Sequence, residues 1–411
     1  MTVAPPSWIA PSGRLIEAGE AFGWAEIAVE AERLEADFRA AGRAVVKADR
    51  PSAVVAALVA AERARVELLL KRHGAVALPG EKDWEERADD GRNGGFSVLL
   101  ETSGTTGTPK RARHDFERLR GRLRGTADPT ARWLLTYEPA AFAGLQVMLT
   151  ALASGAALIA VPGAGAADLT RAAVRHGATH ISGTPSFWRA FLLTLGGERP
   201  PLASITLGGE AADQLLLDRL KACFPTAKLR HIYASTEAGA LFAVTDGRAG
   251  FPAVWLDTGV DGVALRIRDG VLEVNSPRSM LGYAGAASPS GDWLSTGDVV
   301  ELRGDRVLFA GRLDGRVNVG GVKVSPEAVE QRLLAVPGVQ DALVRPAANP
   351  ISGHILTASV VPAPGVGEAV LRAAIREAAS ELPPAARPRA ITIVETIPLG
   401  AAGKKKREGT A

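Results

Sequence analysis

The pattern of apolar and polar positions predicts regular elements along most of the chain. Between residues 25 and 70, apolar residues recur at helical spacing, as at Val54 and Leu58, so helices that pack outside a sheet are expected there. From Phe96 onward, short apolar runs alternate with amphipathic stretches, which predicts strands and helices arranged in α/β layers. The strands are expected over residues 97–100, 133–136, 157–161 and 205–207.

The pattern changes at about residue 250. Short β-rich runs, separated by Gly, Asp and Pro, are typical of a distorted β-barrel; they lie at residues 263–267, 271–274 and 306–309. After Gly311 comes a compact alternation of elements. It predicts strands over 317–324 and near residues 342 and 356, and helices over 326–334 and 368–381.

These patterns together predict an α/β fold in two domains. The large N-terminal domain is expected to comprise residues 1–312, with α/β layers and a β-rich subdomain at about 250–310. The small α+β C-terminal domain is expected to comprise residues 313–411. The length agrees with this division, because one hydrophobic core rarely extends much beyond about 250 residues.

Composition and charge narrow the class of protein. Apolar residues make up 46% and charged residues 23% of the chain, as in globular proteins. The net charge of +3 comes from 48 basic and 45 acidic residues, so no nucleic-acid partner is expected. No apolar run approaches the ~18 residues of a spanning helix, and the N-terminus lacks the pattern of a secretion signal, so we expect a cytoplasmic protein without a membrane partner. The single cysteine, Cys223, is expected to pack in the core.

A loop rich in glycine and hydroxyl groups directly follows the strand expected at 97–100. Its glycines let backbone N–H groups approach an anion, its hydroxyls can donate hydrogen bonds, and its lysine adds a positive charge. The spacing is not that of a Walker loop. An ordinary polar turn is the alternative to a phosphate-binding loop. The candidate phosphate ligands are Thr102, Ser103, Gly104, Thr105, Thr106, Gly107 and Lys110.

The string SGTTGTPK at 103–110 resembles the phosphate-loop signature of the acyl-adenylating (ANL) superfamily, which includes acyl-CoA synthetases, adenylation domains of peptide synthetases, and luciferases. Further strings similar to the family's motifs follow in the family's order, and the resemblance extends from about residue 95 to the C-terminus. They are GGE at 208–210, YASTE at 233–237, STGD at 295–298, GRLD at 311–314, the segment 318–330, and PLGAAGK at 398–404.

The resemblance implies a role for each motif. Lys404 is expected to be the catalytic lysine, with Thr236 at the α-phosphate and Glu237 holding Mg²⁺. Asp314 is expected at a hinge about which the C-terminal domain rotates, and the two glycines Gly320 and Gly321 are expected to line a channel for a thiol. The residues expected around adenine and ribose are Gly208, Gly209, Glu210, Tyr233, Asp298 and Arg312.

Residue chemistry supports some of these roles and leaves alternatives to others. A Tyr ring can stack on adenine, and a carboxylate can hold the Mg²⁺ that phosphate oxygens require. Taken alone, however, the Ser-Thr-Glu string could simply begin a helix, Asp314 could be a turn residue, and the two glycines could form only a β-turn. The neighbours of Lys404, namely Lys405, Lys406 and Arg407, are expected to stay solvated or to help hold an anionic substrate.

Several positions depart from the family's pattern. The phosphate loop begins early in the chain, Arg111 stands where a glycine is common, and Leu399 and Gly400 replace a basic residue and Thr. Phe142 stands where many CoA-forming relatives carry His, so it either walls an acyl group or packs in the core. The expected substrate pocket is formed by Phe142, Gly144 and Trp188, with core packing the alternative for Trp188.

The resemblance implies an AMP-forming ligase. It is expected to use ATP and Mg²⁺ to activate a small-molecule acid, with aryl acids among the candidate substrates, and to transfer the acyl group to CoA. The alternatives are transfer to an acyl carrier protein or an amine, and activation of nitrite for diazotisation. A catalytically inactive nucleotide-binding scaffold is the alternative from another class. The joint presence of Lys110, Glu237, Asp298, Arg312 and Lys404 argues against such a scaffold.

Overall fold

The computed structural model describes residues 4–72, 96–102, 110–121, 127–285, 292–400 and 403–407. The elements up to residue 244 are, in chain order, β1 (Arg14–Glu17), β2 (Glu20–Phe22), α1 (Trp24–Ala41), β3 (Arg43–Lys47), α2 (Pro51–Ala64), β4 (Glu67–Lys71), β5 (Ser97–Glu101), β6 (Arg111–Asp115), α3 (Phe116–Arg120), β7 (Arg132–Leu135), α4 (Phe142–Ser154), β8 (Ala157–Ala160), α5 (Ala166–Arg175), β9 (His180–Gly183), α6 (Pro185–Thr194), β10 (Ser204–Gly208), α7 (Gln214–Cys223), β11 (Lys228–Ser235) and β12 (Gly239–Val244).

The remaining elements run from residue 251 to residue 393. They are β13 (Phe251–Pro252), α8 (Trp255–Thr258), β14 (Ala264–Arg268), β15 (Val271–Asn275), β16 (Gly282–Tyr283), β17 (Leu294–Arg303), β18 (Arg306–Arg312), β19 (Val317–Val319), β20 (Val322–Val324), α9 (Pro326–Leu334), β21 (Val339–Asn349), β22 (Gly353–Pro362), α10 (Glu368–Ser380), a 3₁₀ turn (Pro384–Ala386) and β23 (Ala390–Ile393).

An eight-stranded central sheet organises the N-terminal part, in the order β12-β11-β10-β9-β7-β8-β1-β2. Its six inner strands are parallel, and the outer strands β2 and β12 run antiparallel to their neighbours. Helices cover the strands, so a strand such as β8, with the sequence ALIA, is buried at all four positions. A second sheet has the order β16-β6-β5-β4-β3 and carries the loop between β5 and β6.

The segment from 251 to 312 forms a five-stranded antiparallel sheet, where a distorted barrel was expected. Its order is β13-β18-β17-β15-β14. The aromatic side chains of Phe242, Phe251 and Phe309 pack in and against its core. The long strands β17 and β18 form a hairpin that carries Asp298 and Arg312 opposite each other. This register brings two of the predicted nucleotide-binding residues together.

The C-terminal part has its own hydrophobic core. The hairpin β19-β20, the sheet β21-β22-β23 and the helices α9 and α10 enclose apolar residues such as Leu333, Leu356 and Ile375. Helix α9 begins where the sequence predicts, because Ser325 caps it through a hydrogen bond from the Ala328 amide and Pro326 fits its first turn.

The prediction for residues 25–70 is only partly correct. Helices α1 and α2 are present, but β3 and β4 lie between and after them as parallel neighbours. The run Leu68-Leu69-Leu70 in β4 is fully buried in the second sheet. A short apolar run has no helical or alternating period of its own, so periodicity could not separate this strand from a helix.

Two smaller expectations can be compared with the structure. Cys223, at the end of α7, is half-buried and packs against the core of the central sheet. Among the described residues, no helix combines the length and the apolar character needed to cross a membrane.

Candidate active site

The predicted site residues cluster at the carboxyl ends of the parallel strands. Strand β9 leads into Thr184, β10 into Gly209, and β11 into Thr236 and Glu237. This edge of an open α/β sheet is where ligands usually bind. At the end of β5, the Thr102 amide donates to the Lys110 carbonyl at 2.8 Å and closes the base of the phosphate loop. The loop residues Ser103, Gly104, Thr105, Thr106 and Gly107 lie outside the described residues.

The side chain of Lys404 lies at the end of β10. A β-carbon placed on Gly209 would be 3.5 Å from Cε of Lys404 and 3.7 Å from Cγ2 of Thr184. Gly209 has a φ of +82°, a backbone conformation that favours glycine. The Thr184 hydroxyl donates to the carbonyl of Gly403, next to Lys404. The C-terminal segment is thereby attached to the loop after β9.

Tyr233, Asp298 and Arg312 form a second group beside this lysine. The Tyr233 hydroxyl donates to Oδ2 of Asp298, and a nitrogen of Arg312 lies 3.3 Å from Oδ1. The Tyr233 ring packs on Phe309 and Phe242, with centroids 4.9 Å and 5.3 Å away. Strands β11, β17 and β18 therefore place an aromatic ring, a carboxylate and a guanidinium together.

Burial determines the electrostatics of this group. It raises the pKa of Asp298, while the Tyr233 hydroxyl, Arg312 and Lys404 each oppose the rise. Burial and the neighbouring carboxylate raise the pKa of Tyr233 well above its ordinary value. Tyr233 is therefore a hydrogen-bond donor at neutral pH. Because Lys404 lowers the pKa of Asp298, the positive charge of Lys404 lies near the Asp298 carboxylate.

Glu237 stands at the end of β11, beside the described end of the phosphate loop. Its Oε1 accepts a hydrogen bond from the Tyr283 hydroxyl at 2.9 Å. The Lys110 ammonium lies 5.2 Å from the centroid of the Tyr283 ring. Burial and the Glu237 charge raise the pKa of Tyr283, so it stays a donor.

The described residues contain no cluster of three or more metal-ligating side chains. A half-buried single carboxylate suits Mg²⁺, which usually takes one or two protein carboxylates together with substrate phosphates.

The three residues of the GGE motif have different surroundings. Gly208 ends β10, and a β-carbon there would be 3.7 Å from the Tyr137 hydroxyl. The Glu210 carboxylate accepts from the Ser186 amide at 3.0 Å and from its hydroxyl at 2.6 Å. The Glu210 side chain therefore binds the first turn of α6.

The predicted hinge residue lies in the connection between the two parts of the chain, and the predicted thiol-channel residues lie in the C-terminal part. Asp314 follows β18, and its Oδ1 is 3.0 Å from Nε of Arg312. Gly320 and Gly321 form the two-residue turn of the β19-β20 hairpin, with φ values of +58° and +88°. Such a turn requires positive φ at both positions, so it favours glycine. Both glycines are exposed.

The three predicted pocket residues separate in the structure. Phe142 is half-buried at the start of α4 and lines a small pocket with His114 and Gln146. Gly144 is a packing position instead, since a β-carbon there would lie 2.1 Å from the Glu138 carbonyl oxygen. Trp188 is fully buried, and its indole donates to the Thr206 carbonyl at 3.0 Å. Trp188 therefore belongs to the core under the central sheet, which corrects its assignment to the pocket wall.

The expectation that Lys405 stays solvated is also wrong. Its side chain is 4% exposed, and Nζ lies 2.8 Å from Oδ1 of Asp341. Arg407 is bound to Glu330 at 2.6 Å, whereas Lys406 is exposed. Of the four basic residues, Lys404 lies at the candidate site, Lys406 is exposed, and Lys405 and Arg407 bind carboxylates of the C-terminal part.

Comparison with known proteins decides the family. The AMP-binding enzyme profile matches residues 24–277, and the AMP-binding enzyme C-terminal domain profile matches residues 328–404. The chain belongs to the AMP-binding enzyme family. This confirms the resemblance to the acyl-adenylating superfamily.

This AMP-binding enzyme has relatives of different lengths. Phosphinothricin tripeptide synthetase of Streptomyces viridochromogenes is 28% identical over 351 residues, 77% of this chain and 29% of that protein. The probable 2-succinylbenzoate–CoA ligase of Mycobacterium tuberculosis is 27% identical over 329 residues, 76% of this chain and 82% of that protein. The chain spans 5% to 29% of the length of the first four curated relatives.

Solved structures confirm the fold. The anthranilate CoA ligase in complex with anthranoyl-AMP aligns with a TM-score of 0.73 and 19% identity, over 97% of this chain and 93% of that chain. The predicted α/β fold with a large N-terminal and a smaller C-terminal domain is therefore correct.

Two residues beside the candidate site in this AMP-binding enzyme were not identified from the sequence. His114 lies on the buried face of β6, which alternates in the sequence RARHD. Tyr283 has no signal in the sequence, since only the pairing of β16 with β6 brings it near Lys110.

Proposed function

We propose that this enzyme activates a carboxylic acid with ATP as its acyl adenylate, releases pyrophosphate, and transfers the acyl group to CoA. The observation that supports this proposal best is the position of Lys404. Its side chain lies over Gly209 and its charge acts on Asp298. A lysine between the end of β10 and a ribose-binding carboxylate is suitably placed to contact both an acid and the α-phosphate.

In the proposed first step, a carboxylate oxygen attacks the α-phosphorus of ATP. A carboxylate–phosphorus bond forms, the bond to the bridging oxygen breaks, and pyrophosphate leaves with the electron pair. Lys404 would offset negative charge on the reacting oxygens, and the Thr236 hydroxyl would hold the α-phosphate. Thr102, Lys110 and the loop between them would bind the departing phosphates. Mg²⁺ held by Glu237 would supply further positive charge.

The nucleoside would be held on the other side of Lys404. Asp298 can accept hydrogen bonds from ribose hydroxyls, and Arg312 is suited to the ribose or the phosphates. Gly208, Gly209 and the backbone of Glu210 would frame the adenine together with Tyr233. Because the Tyr233 hydroxyl is bonded to Asp298, this tyrosine would position the ribose-binding carboxylate as well.

In the proposed second step, the C-terminal domain rotates about Asp314 and withdraws Lys404. The turn at Gly320 and Gly321 would then face the adenylate and admit the thiol of CoA. A β-carbon on Gly321 would meet no atom within 4 Å, so this turn is open to an approaching thiol. The alternative acceptors are a carrier protein and an amine, and nitrite is the alternative substrate.

A compact aryl acid is the proposed substrate class. The pocket beside Phe142 is lined in part by Gly239 and Ala240, which directly follow the Thr236–Glu237 loop. Its volume of about 10 Å³ holds about one water molecule, so a small substituent of the acid could enter it but an aromatic ring could not. The relatives named for 2-succinylbenzoate and anthranilate support the same class.

Pyrophosphate exchange into ATP tests the first step. Exchange should depend on one of a panel of benzoates, cinnamates, short fatty acids, amino acids and nitrite, and on Mg²⁺. Lys404→Ala should slow exchange by about 100- to 1000-fold, as when one stabilising donor is removed from a reacting oxyanion, while ATP binding remains. Lys406→Ala, which changes the exposed neighbour, is the matched control. Full activity in Lys404→Ala would contradict the role of this lysine, and no exchange with any acid would favour an inactive scaffold.

The acceptor is tested after the acid is known. The acyl adenylate formed in situ should be consumed, with release of AMP, when CoA is added. Release with a carrier protein or an amine, but not with CoA, would replace the proposed second step by one of its alternatives.

A further inference from the structure

His114 is a buried polar group that the proposed reaction does not yet use. It lies on β6, is 3% exposed, and its Nε2 has no hydrogen-bond partner in the part of the chain that the structure describes. Leaving a buried acceptor or donor unpaired is unfavourable, because its hydrogen bonds to water are lost and not replaced. Such a group needs an explanation, and His114 lines the small pocket beside Phe142.

The other ring nitrogen of His114 is bound to the loop that carries the catalytic residues. The ring makes a hydrogen bond with the backbone of Thr236, and this bond favours the protonated ring. A hydrogen bond favours the protonated ring when a ring N–H is the donor, so the His114 ring donates to the carbonyl oxygen of Thr236. Because Nε2 is unpaired, the donor is Nδ1.

The protonation state of His114 follows from its burial. Burial lowers its pKa to about 4, and the Thr236 bond only partly opposes this change. The ring is therefore neutral at physiological pH. With the proton on Nδ1, the unpaired Nε2 carries a lone pair and acts as an acceptor.

The remaining walls of the pocket are apolar or already bonded. The Phe142 ring lies 5.7 Å from the His114 ring, and Leu119 is buried. The Gln146 amide donates to the Leu119 carbonyl at 2.8 Å. Arg278 donates to the carbonyls of Ala240, Leu241 and Asp261 at 2.6, 3.0 and 3.0 Å. Arg118, the other cation of the lining, is exposed.

We propose that this pocket, which has room for about one water molecule, receives a hydroxyl or amino substituent of the acid, and that Nε2 of His114 accepts a hydrogen bond from this substituent. The substrate class is thus a compact acid that carries a hydrogen-bond donor away from its carboxylate. A second carboxylate is disfavoured, because its three heavy atoms exceed a space for about one water molecule and it would place an acceptor against Nε2. The inference rests on the proposed adenylation, since the Thr236 loop connects the pocket to that site.

Matched acids test the specificity of the full-length protein. Pyrophosphate exchange is measured with para-hydroxy, para-amino, para-methyl and para-carboxy forms of benzoate and cinnamate. The wild type should show a kcat/KM about tenfold to a hundredfold higher for the hydroxy or amino acid than for its methyl isostere, the effect of one buried hydrogen bond. His114→Leu should remove or reverse this preference, and His114→Asn, which keeps an acceptor, should retain part of it.

A second measurement does not depend on the variants. Long-range ¹H–¹⁵N NMR spectra of the wild type should show His114 as the neutral Nδ1–H form, and Nε2 should shift when the hydroxy acid binds but not when the methyl acid binds. Equal activity on the hydroxy and methyl acids, or an equal loss on both in His114→Leu, would overturn the specificity role while leaving adenylation intact. No exchange with any acid would overturn the proposed function and this inference together.

Discussion

At the residue scale, His114 connects the site to the pH dependence of folding. Its pKa is about 4 in the folded protein against an ordinary value of 6.5, so between these values the unfolded chain binds more protons. The stability of the protein should therefore be complete above about pH 6.5 and fall as the pH drops toward about 4. At about pH 5.5 the share lost through His114 should be about 1 kcal/mol.

The free energy of unfolding, measured with denaturant at about pH 7.5 and at about pH 5.5, gives the stability that is lost through His114. His114→Asn should lose about 1 kcal/mol less than the wild type between the two conditions, whatever its stability at the higher pH. His354→Gln, which replaces an exposed histidine on β22, is the control and should follow the wild type. Identical pH dependence in the wild type and His114→Asn would show that His114 does not stay neutral when the protein is folded.

At the element scale, the entry into α4 depends on close backbone packing. A β-carbon on Gly144 would lie 2.1 Å from the Glu138 carbonyl oxygen and 2.9 Å from its carbon. The backbone cannot give way as a flexible side chain can, so α4 would have to move away from the preceding loop. Gly144→Ala should therefore lower the free energy of unfolding by about 1–3 kcal/mol, as other overpacked sites do.

The same substitution where there is space serves as the control. Gly196, in the exposed loop after α6, has no atom within 4 Å of the place that a β-carbon would take, and its φ is not positive. Gly196→Ala should change the free energy of unfolding by no more than about 0.5 kcal/mol. Both variants are compared by denaturant unfolding. Equal effects would mean that the contact at Gly144 does not limit the position of α4.

The sequence predicts those elements whose signals are local. Helix α9 was predicted at its observed bounds because Ser325 and Pro326 specify a helix start. Strand β4 was missed because its three leucines fit a strand and a buried helix equally. The motifs named the residues of the site but not their contacts. Asp341 is 64 positions from Lys405 in the sequence, and only the fold makes the lysine of a basic run a buried ion-pair partner.

At the scale of the whole molecule, the described arrangement of the two parts is fixed by contacts that cross between them. Arg189, in α6, is bound to Asp213 and lies 3.8 Å from Asp341 of the C-terminal part. Leu193, also in α6, packs against an apolar group formed by Leu343, Val361 and Ile397. These contacts accompany the placement of Lys404 over Gly209, so we propose that they stabilise the adenylating arrangement.

Arg219 offers the clearest test of this proposal. Its guanidinium, on α7, donates to the Gln340 side chain at 2.9 Å and to the Val339 carbonyl at 3.2 Å. Arg219→Met keeps the apolar stem but removes both hydrogen bonds, which are worth about 0.5–1.5 kcal/mol each. Pyrophosphate exchange should therefore slow by about tenfold, the effect of about 1.4 kcal/mol. Transfer from a supplied acyl adenylate to CoA should keep its rate, because that step uses the rotated arrangement.

Comparison of the two half-reactions separates this effect from a general loss of folding. Arg171→Met, on the exposed face of α5, is the matched control, because the ion pair that Arg171 forms in the described part of the chain is with Asp168 of its own helix. It should leave both rates unchanged. If Arg219→Met slowed both half-reactions equally, its interdomain contacts would serve stability alone. A loss confined to adenylation would instead show that contacts distant from the reacting atoms set how often Lys404 reaches them.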